Sequence, residues 1–322
     1  MPAILTHHFF GKSVLNEVST IVEFKSKEEI DAFLLGNQGP DPFFYLVLGK
    51  RYKTSKPVGS VMHKARPAQL LFNLCSLTKN TESDSSQIAR AYVSGFLCHW
   101  ALDSTLHPLV YYWQNALIGA GVVGLDASSS GKVHGEIERD IDEAVLYSRT
   151  GRTIDSYKPY KEILNCSKDA LKTIDSLYEG ASIMTYGLPV RNDSFSAAVC
   201  GFRHIQRLFY SPGATKRGLC SAIEVLFTRN DYSLYNAMSH RSRAEAFSIF
   251  DNGEHDDWIN PFTNEKSSDS FEDLFNKAKD LAVDAVKKLV VSTCTLNVCE
   301  EVTKNLNFEG EYSEIDGDFE WC

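Results

Sequence analysis

The segment GFLCHWALDSTLHPLVYY constrains the fold of this chain more than any other stretch. It is largely apolar, yet it carries His99, Asp103 and His107 at intervals of four residues. At 3.6 residues per turn, these three positions lie close to one stripe of a helix. A carboxylate in such surroundings is costly to bury unless it is paired or bound to a metal. Because Lys and Arg are absent between Arg90 and Lys132, we expect the compensating positive charge to come from elsewhere.

Helical periodicity extends over most of the chain, and several helices carry clear start and stop signals. SKEEIDAFLLGN predicts a helix capped by Ser26 and stopped at Gly36, and GKVHGEIERDIDEAVLYSRTG predicts one closed by Gly151. We expect the helix of the opening segment to end or kink at Pro108. Further helices are predicted over residues 160–177, 195–210, 216–227 and 270–291. Since alternating β patterns are scarce, the predicted fold class is all-α, a multi-helix domain.

The domain organisation follows from length and from changes in composition. A chain of 322 residues fits one large domain or two ordinary ones. No composition change is strong enough to mark a second domain, so we predict a single helical domain over residues 1–306. Residues 307–322 are acidic and lack periodicity, which predicts a C-terminal tail that is a loop or disordered.

Charge and hydropathy exclude several classes of partner. The net charge of −9 argues against non-specific binding to nucleic acid, and we expect no stable nucleic-acid partner. No apolar run approaches the length of a transmembrane segment, and the amino-terminal residues lack the features of a secretory signal. We therefore expect a cytoplasmic protein. Its eight cysteines form no CxxC pair, so we interpret most of them as small buried residues.

The histidines cluster in one part of the chain. Six of the nine fall within the first 134 residues, namely His7, His8, His63, His99, His107 and His134. Among them stand Asp41, clamped between two prolines, and Glu138, which follows His134 by one helical turn. Each feature alone fits a turn aspartate, a core histidine or a solvated helix face. Together they supply nitrogen and oxygen donors without thiolates, a set that suits zinc in a hydrolytic site.

The motifs THHFFGKSV, LLGNQGPDPFFY, MHK, GFLCHWALDSTLHP and HGEIERD, in this order, resemble the bacterial zinc-dependent phospholipase C family. They cover about residues 1–145, and DWINPFTNE followed by SFEDLFNKA resembles intracellular members less specifically. The resemblance implies the helical fold that this family shares with the S1/P1 nucleases. It also implies a site for two or three zinc ions.

The resemblance assigns the ligands residue by residue. One zinc ion would be held by Asp41, His63, His99 and Asp103. A second would be held by His107, His134 and Glu138. Asp103 would also bridge toward a third ion held by His7, which fits the Thr-His pattern better than His8 does. Secreted members bind that third ion through an amino-terminal tryptophan, whereas this chain begins Met-Pro, so we expect a weak, altered or absent third site.

The implied activity is phosphodiester hydrolysis, with a phospholipid or a small phosphodiester as substrate. In this mechanism Asp41 both binds zinc and takes the proton of the attacking water. The acids Glu136, Asp140 and Asp142 either orient the histidines or form a solvated face. The aromatic runs 43–45 and 111–113 either line a lipid pocket or belong to the core.

Two other interpretations stay open at this point. In the first, the same metal site serves a nuclease or a phosphomonoesterase, although the acidic charge disfavours polynucleotides. In the second, the protein is a non-catalytic helical protein whose zinc is structural or regulatory.

Overall fold

Helices account for nearly all of the regular structure in this chain. We analysed a computed structural model that describes residues 4–46, 58–79, 83–121, 125–228, 232–291 and 294–313. Over these residues it contains thirteen α-helices and one antiparallel sheet of two short strands, β1 (Trp258–Ile259) and β2 (Lys266–Ser267). The all-α fold class is therefore confirmed. The more specific expectation of a phospholipase C or P1 nuclease fold stays a prediction.

The helices have the following bounds: α1 Ile4–Val22, α2 Lys27–Gly36, α3 Val58–Lys64, α4 Pro67–Thr78, α5 Ser83–Gly119, α6 Ser130–Thr150, α7 Pro159–Glu162, α8 Lys168–Tyr186, α9 Ser194–Phe209, α10 Ala214–Thr228, α11 Leu234–Met238, α12 Phe271–Val291 and α13 Leu296–Thr303. A short 3-10 helix at Asp41–Tyr45 separates α2 from α3.

Local signals set most of these boundaries. The side chain of Ser26 accepts a hydrogen bond from the amide of Glu29, so it caps α2 as the sequence predicts. Gly151 takes the left-handed conformation that closes α6. At the start of α12, the Ser270 hydroxyl accepts from the amide of Asp273 and donates to its carboxylate.

The helix predicted over 160–177 is wrong in detail, and of the two outcomes predicted at Pro108, a helix end or a kink, the helix end does not occur. The helix of the opening segment does not end at Pro108, because α5 runs through this residue as far as Gly119. Burial of Leu109 and Val110 beyond the proline offsets the backbone hydrogen bond that its ring removes. The helix predicted over 160–177 is interrupted instead, since Ser167 caps a new helix, α8, with its side chain.

The described residues group into two compact units. Unit 1 is built from residues 1–10, 106–164 and 203–277, and unit 2 from residues 11–105, 165–202 and 278–322. The prediction of a single domain over residues 1–306 stays a prediction. No helix in the ranges that the structure describes is both long and apolar enough to cross a membrane.

The described part of the acidic tail is packed within unit 2. Phe308 is buried, and its amide donates to the carbonyl oxygen of His63 at 3.0 Å. Leu306 and Tyr312 form an isolated antiparallel bridge around it. Residues 314–322 of the predicted tail lie outside the described residues.

Within unit 2, helices α2 and α5 approach each other through two glycines. A Cβ atom on Gly95 would lie 2.1 Å from the carbonyl oxygen of Phe33, and one on Gly36 would lie 2.2 Å from that of Tyr92. Such distances are far inside van der Waals contact, so only glycine lets the two backbones meet here. The contact fixes the segment that follows α2 against the side of α5 that carries His99.

This contact generates a stability prediction. The substitution Gly95→Ala should lower the free energy of unfolding by about 1–3 kcal/mol, because the added methyl group forces α2 away from α5. Gly131→Ala is the matched control, since a Cβ atom there meets nothing within 4 Å and alanine favours helix. Urea unfolding followed by circular dichroism measures both. Equal stability of the two variants would contradict the close approach.

Candidate metal centre

Four buried side chains of unit 2 bring their polar atoms close together. Asp41 begins the 3-10 helix, His63 lies on α3, and His99 and Asp103 are one turn apart on α5. One donor atom from each lies within 4.8 Å of the others. His63 Nε2 lies 3.0 Å from Asp41 Oδ1, and His99 Nε2 lies 3.8 Å from the same oxygen and 3.2 Å from Asp103 Oδ2.

Backbone carbonyls fix both imidazole rings of this group. His63 Nδ1 lies 2.7 Å from the carbonyl oxygen of Gly59, and His99 Nδ1 lies 3.1 Å from that of Asn37. A carbonyl only accepts hydrogen bonds, so the proton of each ring sits on Nδ1. The Nε2 lone pairs then face carboxylate oxygens such as Asp41 Oδ1. Two acceptors facing each other in this way require a cation or a further proton between them.

The electrostatics of Asp41 agree with this arrangement. Burial raises the pKa of its carboxyl, but the positive charge that His99 and His63 can carry outweighs burial and holds that pKa below its ordinary value. The carboxyl is therefore ionised at neutral pH, which is the form that binds a cation.

The loop before Asp41 is shaped around the His99 ring. Gly39 has a φ of +48°, and a Cβ atom on it would lie 2.1 Å from His99 Cδ2. Its carbonyl oxygen accepts hydrogen bonds from the hydroxyls of Tyr92 and Tyr178, at 3.2 and 3.1 Å. Glycine is needed here both for the backbone conformation and for contact with the imidazole.

A second buried group lies in unit 1. His107 is on α5, and His134 and Glu138 are one turn apart on α6. Glu138 Oε1 lies 3.4 Å from His107 Nε2 and 3.3 Å from His134 Nε2. Burial raises the pKa of Glu138, but the positive charge that His134 can carry and the proximity of both imidazoles bring it well below its ordinary value. Gln114 Oε1 accepts from His134 Nδ1 at 3.0 Å, which turns Nε2 toward the carboxylate.

The spacing of both groups fits a metal ion. Ligands about 2.0–2.1 Å from a tetrahedral ion lie about 3.3 Å from one another. The nitrogen–oxygen distances of 3.0, 3.2 and 3.8 Å in unit 2 bracket this value. Those in unit 1, 3.3 and 3.4 Å, match it. Each group can therefore hold a metal ion, and the groups contain the same residues that the resemblance assigns to two separate ions. Ligation itself stays a prediction.

His7, the residue assigned to a third ion, belongs to neither group. It lies on α1 and is buried, as is His8, which packs edge-on against its neighbour Phe9. The start of α1 is held within unit 1 by Asp142, whose carboxylate accepts from the amides of Leu5 and Thr6 at 3.1 and 2.7 Å. Asp142 therefore fixes the first turn of the helix that carries His7.

The other two acids of α6 that the sequence offered as partners of the histidines, Glu136 and Asp140, form ion pairs with arginines. Glu136 Oε1 lies 3.4 Å from Arg139 Nη2, and Asp140 Oδ1 lies 2.8 Å from Arg243 Nη1. Both carboxylates are partly buried. They tie α6 to its own next turn and to the loop that follows α11.

The aromatic runs divide between core and site. Phe43 and Tyr45 belong to the core of unit 2, whereas Phe44 is 37% exposed and packs against the His63 ring at 4.9 Å between centroids. In unit 1, the Tyr111 ring lies 5.0 Å from that of His134 and 5.2 Å from that of Phe262. Each group of possible metal ligands therefore has an aromatic neighbour that is not fully buried.

The sequence interpretation missed the residues that hold the predicted ligands in place. These are Asn37, Gly39, Gly59, Gln114 and Phe308. Phe308 packs against both His63 and His99, at 5.1 and 5.5 Å between centroids. The string GNQGPDP carries two of them, and a glycine two residues before a proline-flanked aspartate could have indicated a special backbone conformation. Gln114 and Phe308 carry no local signal.

Comparisons of the chain with protein-family models, with curated proteins and with solved structures found no match.

The contact between Gln114 and His134 generates a prediction on metal affinity. Replacing Gln114 with leucine removes the acceptor for His134 Nδ1–H, so it should weaken divalent-metal binding about 10–100-fold. Competition with a chromophoric chelator measures the dissociation constant. Gln69→Leu, on α4 and half-buried, is the control and should bind metal like the unmodified chain. Unchanged affinity in Gln114→Leu would contradict an orienting role.

Proposed function

We propose that this protein is a zinc-dependent phosphoric ester hydrolase, similar to phospholipase C, that acts on a phospholipid or a small phosphodiester. The observation that carries the proposal is the buried set of His107, His134 and Glu138, with donor spacings that suit a tetrahedral ion. Two histidines and one glutamate form a ligand set typical of catalytic zinc, which keeps a fourth position for water or substrate.

The donor chemistry supports zinc over other common ions. Both groups combine imidazole nitrogens with carboxylate oxygens and contain no thiolate. Calcium and magnesium prefer shells made of oxygen alone, whereas zinc accepts nitrogen and oxygen together in a small coordination sphere. In both groups, imidazole Nε2 atoms face carboxylate oxygens, so a doubly charged cation between them would be strongly attracted.

When bound, zinc supplies positive charge that stabilises phosphate oxygens and makes a nearby water more acidic. The chain supplies the rest of the proposed mechanism. Gln114 holds His134 in the tautomer that presents Nε2, and Glu138 balances charge inside unit 1. The resemblance to phospholipase C assigns the proton of the attacking water to Asp41 in unit 2, whose lowered pKa keeps its carboxyl ionised. Tyr111 and Phe262 offer an apolar wall to the organic part of an ester.

A second candidate function is favoured by the group in unit 2. Its four protein donors would complete a tetrahedral shell, and closed four-ligand shells are typical of structural zinc. All four residues are buried, with exposures of 5% or less. A non-catalytic protein stabilised by zinc would need only this group, and the open set in unit 1 is what favours the hydrolase.

Activity measurements test the hydrolase directly. The purified protein, with about two to three zinc ions bound, should cleave phosphatidylcholine or a small phosphodiester. His134→Ala should lower the turnover number more than about a hundredfold, because even outer partners of zinc ligands cost 10–100-fold. His255→Ala, which alters a half-exposed histidine on a loop of the same unit, should keep full activity.

The choice of substrates separates the alternatives. Phosphatidylcholine vesicles, single-stranded DNA and nitrophenyl phosphate represent the lipase, nuclease and phosphomonoesterase activities. Preference for either of the last two would reassign the substrate. A zinc-containing protein that cleaves none of them, and whose thermal stability falls in His99→Ala but not in His134→Ala, would establish the structural role instead.

A further inference from the structure

Three cysteines far apart in sequence meet in unit 2. Cys75 lies on α4, Cys299 on α13, and Cys294 just before the residue that caps α13. The Sγ atoms of Cys294 and Cys299 are 3.7 Å apart, and Cys75 also hydrogen-bonds to Cys294. Cys294 is thus the middle sulfur of the three. We call Cys75, Cys294 and Cys299 the thiol cluster.

The thiol cluster opens onto a cavity of about 310 Å³. Cys75 and Cys294 line it together with Lys79 and Arg90, and the described residues around it include no carboxylate. The whole chain has a net charge of −9, whereas the described lining of this cavity has two cationic side chains and no carboxylate. It favours anionic molecules.

The environment of Cys294 favours the ionised form of its thiol. Hydrogen bonds donated by Cys299 and Cys75 lower the pKa of the Cys294 thiol, and the charge of Lys79 adds to them against the opposing effect of burial. The pKa values of Cys75 and Cys299 are raised, which keeps both protonated as donors. Cys294 is therefore the most acidic thiol of the three, and a second thiol lies 3.7 Å from it.

We propose that Cys294 is a thiol–disulfide exchange site for small disulfides that carry carboxylates, with Cys299 as the resolving thiol. The Cys294 thiolate attacks one sulfur of the small disulfide, the sulfur–sulfur bond breaks, and the other half leaves as a thiolate. Cys299, after losing its proton to that thiolate, then attacks Cys294. A Cys294–Cys299 disulfide forms and the second half leaves as a thiolate that takes up a proton from water. The small disulfide is the oxidant, and two protein thiols are oxidised in exchange for two small thiols.

The geometry favours a disulfide over a metal site. Closing the Cys294–Cys299 bond brings the two sulfurs from 3.7 Å to about 2.05 Å. Among the described residues, the three sulfur atoms of the thiol cluster do not all lie within 4.8 Å of one another, unlike the donor atoms of the two His and carboxylate groups. The cluster is also made of residues other than the His and carboxylate groups, so this proposal does not depend on the proposed hydrolase.

Oxidised glutathione, which carries four carboxylates, is the probe for this site. The reduced full-length protein should gain one Cys294–Cys299 disulfide, identified by mass spectrometry of peptides. Hydroxyethyl disulfide, which is neutral, should react at Cys294 at least about tenfold more slowly. This comparison uses only the unmodified protein, so it is independent of whether variants fold. Equal rates, or labelling confined to other cysteines, would overturn the proposal.

Variants then separate the two thiols. Cys299→Ser should accumulate the mixed disulfide between Cys294 and glutathione, because the resolving thiol is gone, and Cys294→Ser should remove both products. Cys200→Ser, which alters an exposed cysteine elsewhere in unit 2, should leave the Cys294–Cys299 product unchanged. Lys79→Ala combined with Arg90→Ala should abolish the preference for the anionic disulfide. Retention of the preference in that variant, or binding of Zn²⁺ by the three thiols in place of exchange, would contradict the proposed site.

Discussion

Buried carboxylates facing imidazole nitrogens are the constraint on which this structure depends. Asp41 and Asp103 in unit 2, and Glu138 in unit 1, are removed from water at a cost that only a nearby positive charge offsets. In both units the carboxylate oxygens face Nε2 atoms, and a ring whose Nδ1–H is already engaged presents a lone pair there. The protein must then either protonate these histidines or bind cations. One divalent ion in each group would compensate both the carboxylate charge and the imidazole lone pairs.

In unit 2, backbone groups around the possible ligands fix the orientation of the His63 and His99 rings. His63 is fixed by the carbonyl oxygen one turn earlier on its own helix, whereas His99 depends on Asn37, which lies beyond the end of α2. That carbonyl reaches α5 only because Gly36 and Gly95 allow their helices to touch. The close packing of α2 against α5 thus sets the orientation of the His99 ring. Such support is what preorganises a metal site before any ion arrives.

Local chemistry explains which features could be predicted from the sequence. Caps at Ser26 and Gly151 depend on neighbouring residues, and so does the pairing of His134 with Glu138 along one helix. The approach of Asp41 and His63 to His99 is long-range, and it was expected only from the order of the motifs. Partners that act at a distance, such as Phe308 at the other end of the chain, leave no periodic signal. The same holds for the thiol cluster, because Cys75 meets Cys294 only after α13 packs on α4. Pro108 shows the converse, since tertiary burial outweighed a strong local signal.

The two groups of possible metal ligands differ in the number of donors that the protein supplies, four in unit 2 and three in unit 1. Four donors in unit 2 leave no position for a substrate oxygen unless one carboxylate is displaced or shared. Three donors in unit 1 leave one position free, and Tyr111, the aromatic neighbour there, is only partly buried. A chain that needed zinc only for stability would gain nothing from the incomplete shell, because an open position admits water and lowers affinity. Under the proposed hydrolase, the incomplete shell would take up the substrate oxygen, and the complete shell would hold the Asp41 carboxylate in place.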